Sequence, residues 1–166
     1  MPFYLLRITK RKWDTLADQS WLEVQAIQGD PLGDLRIDSG NLSVWHIEDD
    51  KSNLNLIITA LASTRERLDK FEYGLFNQDI LNNLGIEKKA SPGNTRMERA
   101  NRWHYDLIHL TTSKTVQLVE ALFHSWEKER LLDKRICDLI VDAVRQKELK
   151  VEKLPKKLRE EVEKHI

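Results

Sequence analysis

The stretch Leu42–Phe76, LSVWHIEDDKSNLNLIITALASTRERLDKFEYGLF, carries two strand patterns around a helical one. Its opening LSVWHIE puts Leu42 and Val44 on one side and Trp45 and Ile47 on the other, the pattern of a strand covered on both faces and therefore central in its sheet. The run from Ser52 to Lys70 then spaces Leu54, Ile57, Ile58, Leu61 and Leu68 as on one helix face, with Ser52 or Asn53 placed to cap its start. Phe71–Phe76 reads as strand again. The stretch therefore predicts a βαβ unit over residues 42–76, of the right-handed crossover kind.

On the N-terminal side, Phe3–Ile8 predicts a strand, and Leu22–Ile27 alternates Leu22, Val24 and Ala26 against Glu23 and Gln25. Before Leu42 the segment GDPLGDLRIDSGN carries Gly29, Pro31, Gly33, Gly40 and Asn41, all turn residues, and predicts a loop with room for a short strand inside it. Toward the C-terminus a short helix ends at Gly85 and Ser91-Pro92-Gly93 makes a turn. From there the pattern reads helical to the end.

Thr95 and Glu98 have capping-box spacing, and Met97, Ala100, His104 and Leu107 follow along one helical stripe. A second helix is marked by Val116, Val119, Leu122, Phe123 and Trp126. A third is marked by Ile136, Leu139, Ile140, Ala143 and Val144 behind Asp133. The last carries Leu154, Leu158, Val162 and Ile166 behind Pro155, a residue suited to a first helical turn. The expected architecture is a single α+β domain over residues 1–166. A small mixed sheet in residues 1–90 packs against three to four helices in residues 94–166.

At 166 residues the chain is long enough to bury a sizeable core without staples. Its 27 Lys+Arg balance 27 Asp+Glu, so no global field draws it to nucleic acid or membrane, and polyanion binding would need a local patch. Cys137 stands alone, which excludes an intrachain disulfide. The apolar opening is broken by Arg7, Lys10, Arg11 and Lys12, and no run reaches the length of a membrane span. The expected location is the cytoplasm.

No strong chemical signature is present. His104 and His109 fall on diverging faces of a helix and are poor co-ligands. The acidic residues Asp30, Asp34, Asp38, Glu48, Asp49 and Asp50 do not follow calcium-loop spacing. Cys137 sits among apolar residues as an inert thiol would. No glycine-rich phosphate loop or nucleophile elbow occurs. Neither a metal nor a cofactor is expected.

Two groupings point to RNA. Arg99 and His104, in RANRWH, have the spacing of an arginine-to-histidine pair, and this segment resembles the motif of the HEPN ribonucleases. The resemblance implies metal-independent RNA cleavage, with His104 moving the ribose 2′-hydroxyl proton, Arg99 stabilising phosphate charge and Asn101 assisting. Independently, Arg7, Lys10, Arg11 and Lys12 before Trp13, and Arg96, Arg99 and Arg102 beside Trp103, combine cations with stacking rings as non-catalytic single-strand binders do.

Protein association is the leading expectation: an accessory subunit, inhibitor or adaptor in a cytosolic complex. Five tryptophans exceed what a modest core needs, and tryptophan is favoured at interface anchors. Trp13 and Trp21, in the polar segment WDTLADQSW, and Leu154, Leu158 and Val162, on the narrow C-terminal helix, are the expected contacts for a protein partner or a second copy.

Overall fold

A computed structural model describes residues 2–10, 12–13, 35 and 37–166. Its elements in chain order are β1 (Phe3–Arg7), β2 (Leu42–Ile47), α1 (Leu54–Ala62), β3 (Phe71–Asn77), α2 (Gln78–Asn83), β4 (Glu87–Ala90), α3 (Glu98–Asn101), β5 (His104–Ile108), α4 (Thr112–Ser125), β6 (Glu127–Leu131), α5 (Asp133–Arg145), a 3-10 turn at Val151–Lys153, and α6 (Lys156–Val162). The strands form one sheet in the order β4-β5-β2-β1-β3-β6. Every neighbouring pair is antiparallel. The fold is α+β, as the sequence predicts.

β2 lies inside the sheet between β5 and β1, and its two faces divide as its sequence does. Leu42 and Val44 join one core cluster, and Trp45 and Ile47 the other. Strand, helix, strand follow in order over residues 42–76, and because β2 and β3 are each antiparallel to β1, they run parallel to one another with β1 between them. The crossover thus spans an intervening strand. Hydrophobic periodicity reports which residues are buried, but not which strand fills the gap.

The sheet is sandwiched. On one face α1, α5 and α6 pack on Leu5, Trp45, Ile47, Phe71, Tyr73 and Leu75. On the other, α2 and α4 cover Tyr4, Leu6, Val44, Phe76 and Leu107. Two expectations are corrected here: the sheet is antiparallel rather than mixed, and β5 and β6 come from the part of the chain read as wholly helical. The strand expected at Leu22–Ile27 lies outside the described residues.

The main correction concerns Thr95–Leu110. No capping box forms. Met97 is the N-cap of α3 and makes no side-chain cap bond, while Thr95 Oγ1 donates to Asn101 Oδ1 at 2.7 Å. Asn101 Oδ1 also accepts from Thr95 N at 2.9 Å, and Asn101 Nδ2 donates to Thr95 O at 3.1 Å. These bonds tie the helix end back to its beginning after a single turn. The chain then enters β5, where Leu107 pairs with Leu42, Tyr105 with Val44 and His104 with Trp45. Trp103, Tyr105 and Leu107 alternate with a period of two, which suits a strand as well as the apolar residues suited a helix stripe. Pairing with a central strand decided the ambiguity.

Both sheet edges are charged. β4 reads EKKA and β6 reads EKERL. Such side chains discourage edge-to-edge pairing. No helix among the described residues is long and apolar enough to cross a membrane.

Candidate functional site

The aromatic residues of β2 and β5 project beside one another where β2 ends and β5 begins. His46 stacks on Trp103 with ring centroids 5.4 Å apart and planes 9° from parallel. His46 also meets Tyr105 at 6.0 Å and the edge of Tyr4 at 5.7 Å. β4 supplies a cation at one end: Lys88 Nζ lies 5.6 Å from the Tyr105 ring centroid and 5.0 Å from that of Tyr4. The Arg102 guanidinium, 5.0 Å from the Trp103 ring, supplies a cation at the other. The result is a continuous row, Lys88, Tyr105, His46, Trp103, Arg102. Its three rings are half-buried and its two cations exposed.

Hydrogen bonds hold the base of the row. Tyr4, fully buried, donates its hydroxyl to Gln78 Oε1 at 2.7 Å, and Lys88 Nζ donates to Gln78 Oε1 and to the Tyr4 hydroxyl. Burial, aided by Tyr105, pushes the Tyr4 phenol up to about 12, so it remains protonated at neutral pH. The His46 imidazole is held below its ordinary value, first by burial and then by the Lys88 charge, with Glu48 and Asp49 opposing. Its Nδ1 is buried and makes no hydrogen bond among the described residues. A neutral, flat imidazole pinned under an indole is suited to packing against another ring.

The residues proposed for RNA cleavage are separated. Arg99 leaves α3 to pair with Glu148 at 2.6 Å. His104, on β5, has Nδ1 at 2.5 Å from Ser91 O and packs edge-on against Trp45. Asn101 is spent on Thr95. The helical spacing that would have brought Arg99 and His104 over one phosphate is not realised, because the helix stops at Asn101.

The basic groupings disperse as well. Arg96 donates to Ser63 O at 3.1 Å and to Lys153 O, tying the end of α1 to the 3-10 turn. Only Arg102 of that series reaches the aromatic row. Arg7 and Lys12 line a cleft at the opposite end of the sheet, and the Lys10 amide donates to Glu72 Oε2 at 3.1 Å. Arg11 lies outside the described residues.

The expected association anchors form the protein's own core. Trp13 is fully buried against Trp126 and Phe123, at centroid distances of 4.3 Å and 4.8 Å. Leu154, Leu158 and Val162 are buried under α5 and the sheet. The reason is geometric: α6 lays its only apolar edge on the face that α1 and α5 leave open. Trp21 lies outside the described residues. Among the described residues, Leu132 and Ile166 are the exposed large apolar side chains.

The acidic residues around Asp50 serve the turn into α1. Ser52 Oγ donates to Glu48 Oε2 at 2.5 Å, and Ser52 N donates to Asp50 Oδ1 at 2.9 Å, a bond that holds the Asp50 carboxyl below its ordinary value. Cys137 is buried, and burial pushes its thiol up.

Lys88, Tyr105 and His46 escaped sequence reasoning. The signal that would have found them is the period of two in WHYDL, read together with His46 on the neighbouring strand. Lys88 sits on an edge strand whose four residues are all exposed and carry no apolar periodicity. Comparison with known proteins supplies no further guide: no family, no characterised sequence and no solved structure matches this chain.

Proposed function

We propose that this protein is a non-catalytic binder of single-stranded nucleic acid, acting in the cytosol. The observation that carries the reading is the row Lys88, Tyr105, His46, Trp103, Arg102, in which aromatic rings lie between two exposed cations. Single strands are held by the combination of ring faces for unpaired bases and cations for the phosphates beside them, whatever the sequence. Arg102 withdraws from the Trp103 ring to a phosphate as a base takes its place, and Lys88 serves the phosphate at the far end. The absence of a global positive field sets the strength: affinity rests on stacking and on two local cations. The lone, buried Cys137 suits a reducing compartment.

The test is titration of a fluorescent single-stranded oligonucleotide, followed by anisotropy over a series of salt concentrations. Two phosphate contacts on a single strand predict a slope of log affinity against log salt near about −1.4, and Lys88→Gln or Arg102→Gln each reduces it by about 0.7. Trp103→Ala removes about 1–3 kcal/mol of stacking. Affinity unchanged in all three variants, in folded protein, refutes the reading. The strand is expected to remain intact: RNA recovered after incubation with wild type or with His104→Ala should have the same length.

A further inference from the structure

At the end of the sheet away from the aromatic row, β1 and β2 part. They pair through Phe3, Tyr4 and Leu5 against Ile47, His46 and Trp45. Beyond that β1 stays with β3, pairing Arg7 with Tyr73, while β2 stays with β5, pairing Leu42 with Leu107. The opening between them is a cleft of about 570 Å³ whose lining includes Arg7, Ser43, Trp45, Leu61, Arg65 and Lys70. That volume falls within the range of small-molecule sites.

The charges in the cleft are unevenly satisfied. Of its two carboxylates, Glu72 is bound at 2.6 Å by Arg130, lies 3.7 Å from Lys70 Nζ and accepts the Lys10 amide. Asp69 accepts its neighbour's amide, Lys70 N, at 2.8 Å. Arg65 is held rigidly: it lies 5.2 Å over the Phe71 ring and its Nη1 donates to the carbonyls of Lys70 at 2.7 Å and Asp69 at 3.3 Å. Its Nε is buried and has no acceptor among the described residues. A buried guanidinium N–H without an acceptor is costly, and an oxyanion is the group that satisfies it best. Burial and the nearby charge of Arg7 both disfavour the charged form of Arg65. An anion between the two would reverse that penalty.

We propose that this cleft is a second binding site, for a small phosphate monoester of nucleotide size, with Arg65 and Arg7 holding the phosphate and Trp45 and Leu61 forming the apolar wall for the remainder. An oxyanion seated between Arg65 and Arg7 would give the Arg65 Nε–H the acceptor it lacks. Arg7, exposed on β1, closes on it from the other side.

The experiment follows the arginine Nε–H resonances of the full chain by NMR, with inorganic phosphate, AMP and adenosine as probes and Arg65→Lys identifying the Arg65 signal. Phosphate and AMP are expected to shift the Arg65 signal saturably, AMP at lower concentration, while adenosine leaves it in place. Arg7→Gln is expected to weaken both anions about tenfold, the size of one charge-assisted contact. Because Arg7 is exposed, this variant keeps the test valid even where Arg65 substitutions unfold the protein. Trp103→Ala is expected to weaken oligonucleotide binding while leaving the AMP dependence of the Arg65 signal in place, which separates this site from the aromatic row. The proposal is overturned by an Arg65 signal that phosphate and AMP do not move, by AMP affinity unchanged in Arg7→Gln, or by adenosine shifting the signal as AMP does.

Discussion

Gly74→Ala is the substitution whose cost the packing specifies most sharply. Gly74 lies in the interior of β3, and a Cβ built there would fall 2.3 Å from Trp126 Cε3, 2.5 Å from Cζ3 and 2.9 Å from Cδ2. Restoring the 3.4 Å of ordinary contact requires the indole to move by about 1 Å. It has little room to do so, since Trp126 is 7% exposed and its ring centroid lies 4.3 Å from that of the fully buried Trp13. Overpacking of this kind costs about 1–3 kcal/mol. The reduced freedom of the unfolded chain returns about 0.4–1 kcal/mol. A net loss of about 1–2 kcal/mol is expected, read as a lower urea midpoint at unchanged slope, with loss of the near-UV circular dichroism of the Trp13 and Trp126 pair. Combining the change with Trp126→Ala makes the test specific: with the indole gone, Gly74→Ala should cost nearly nothing, a strong departure from additivity. A Gly74→Ala protein as stable as wild type, or a cost that persists without Trp126, refutes this reasoning.

Other predictions concern the core and its charges. Leu158→Ser, at a fully buried position, should lower stability by about 2–5 kcal/mol while leaving the sedimentation behaviour of the folded fraction unchanged; an unaltered urea midpoint with altered association would restore the interface role. Glu72→Ala breaks the bond to Arg130, whose side chain is 42% exposed, and screening at that exposed partner holds the expected loss to about 1–2 kcal/mol in thermal unfolding; no loss would show that Glu72 does not anchor β3 to β6 and to Lys10. His46, with its imidazole held below the ordinary 6.5, resists a proton that the unfolded chain accepts. Stability should therefore fall as pH drops below about 6.5 and be fully present above it, and His46→Gln should flatten that part of the urea midpoint against pH curve. A midpoint that rises on acidification through this window contradicts the assignment.

Much of the fold was legible because burial has a period. Leu42, Val44, Trp45 and Ile47 announce a two-sided strand, and Ile136, Leu139, Ile140 and Ala143 a helix face, whatever surrounds them. What could not be read is what depends on partners distant in the chain. β4 is nearly all charge and exists because β5 pairs with it. β5 was hidden because Met97, Ala100, His104 and Leu107 imitate a helix stripe, and the three bonds between Asn101 and Thr95 that end α3 are invisible to spacing alone. The site follows the same rule. Trp103 and Arg102 were visible as a cation beside a ring, but Lys88, Tyr105 and His46 join them only through the β4, β5 and β2 register. Trp13, Leu158 and Val162 looked available for association because their segments are polar or narrowly apolar, but Leu158 and Val162 fill the core between the sheet, α1 and α5, and Trp13 packs on Phe123 and Trp126 on the opposite face.

Unpaired bases stacked on the row would be seen in the aromatic side-chain resonances of the protein. On addition of a single-stranded oligonucleotide, upfield ring-current shifts are expected on Trp103, Tyr105 and His46, saturating together and abolished in Lys88→Gln/Arg102→Gln. Shifts spread over the surface, shifts centred on other tryptophans, or no change at saturating oligonucleotide would contradict it.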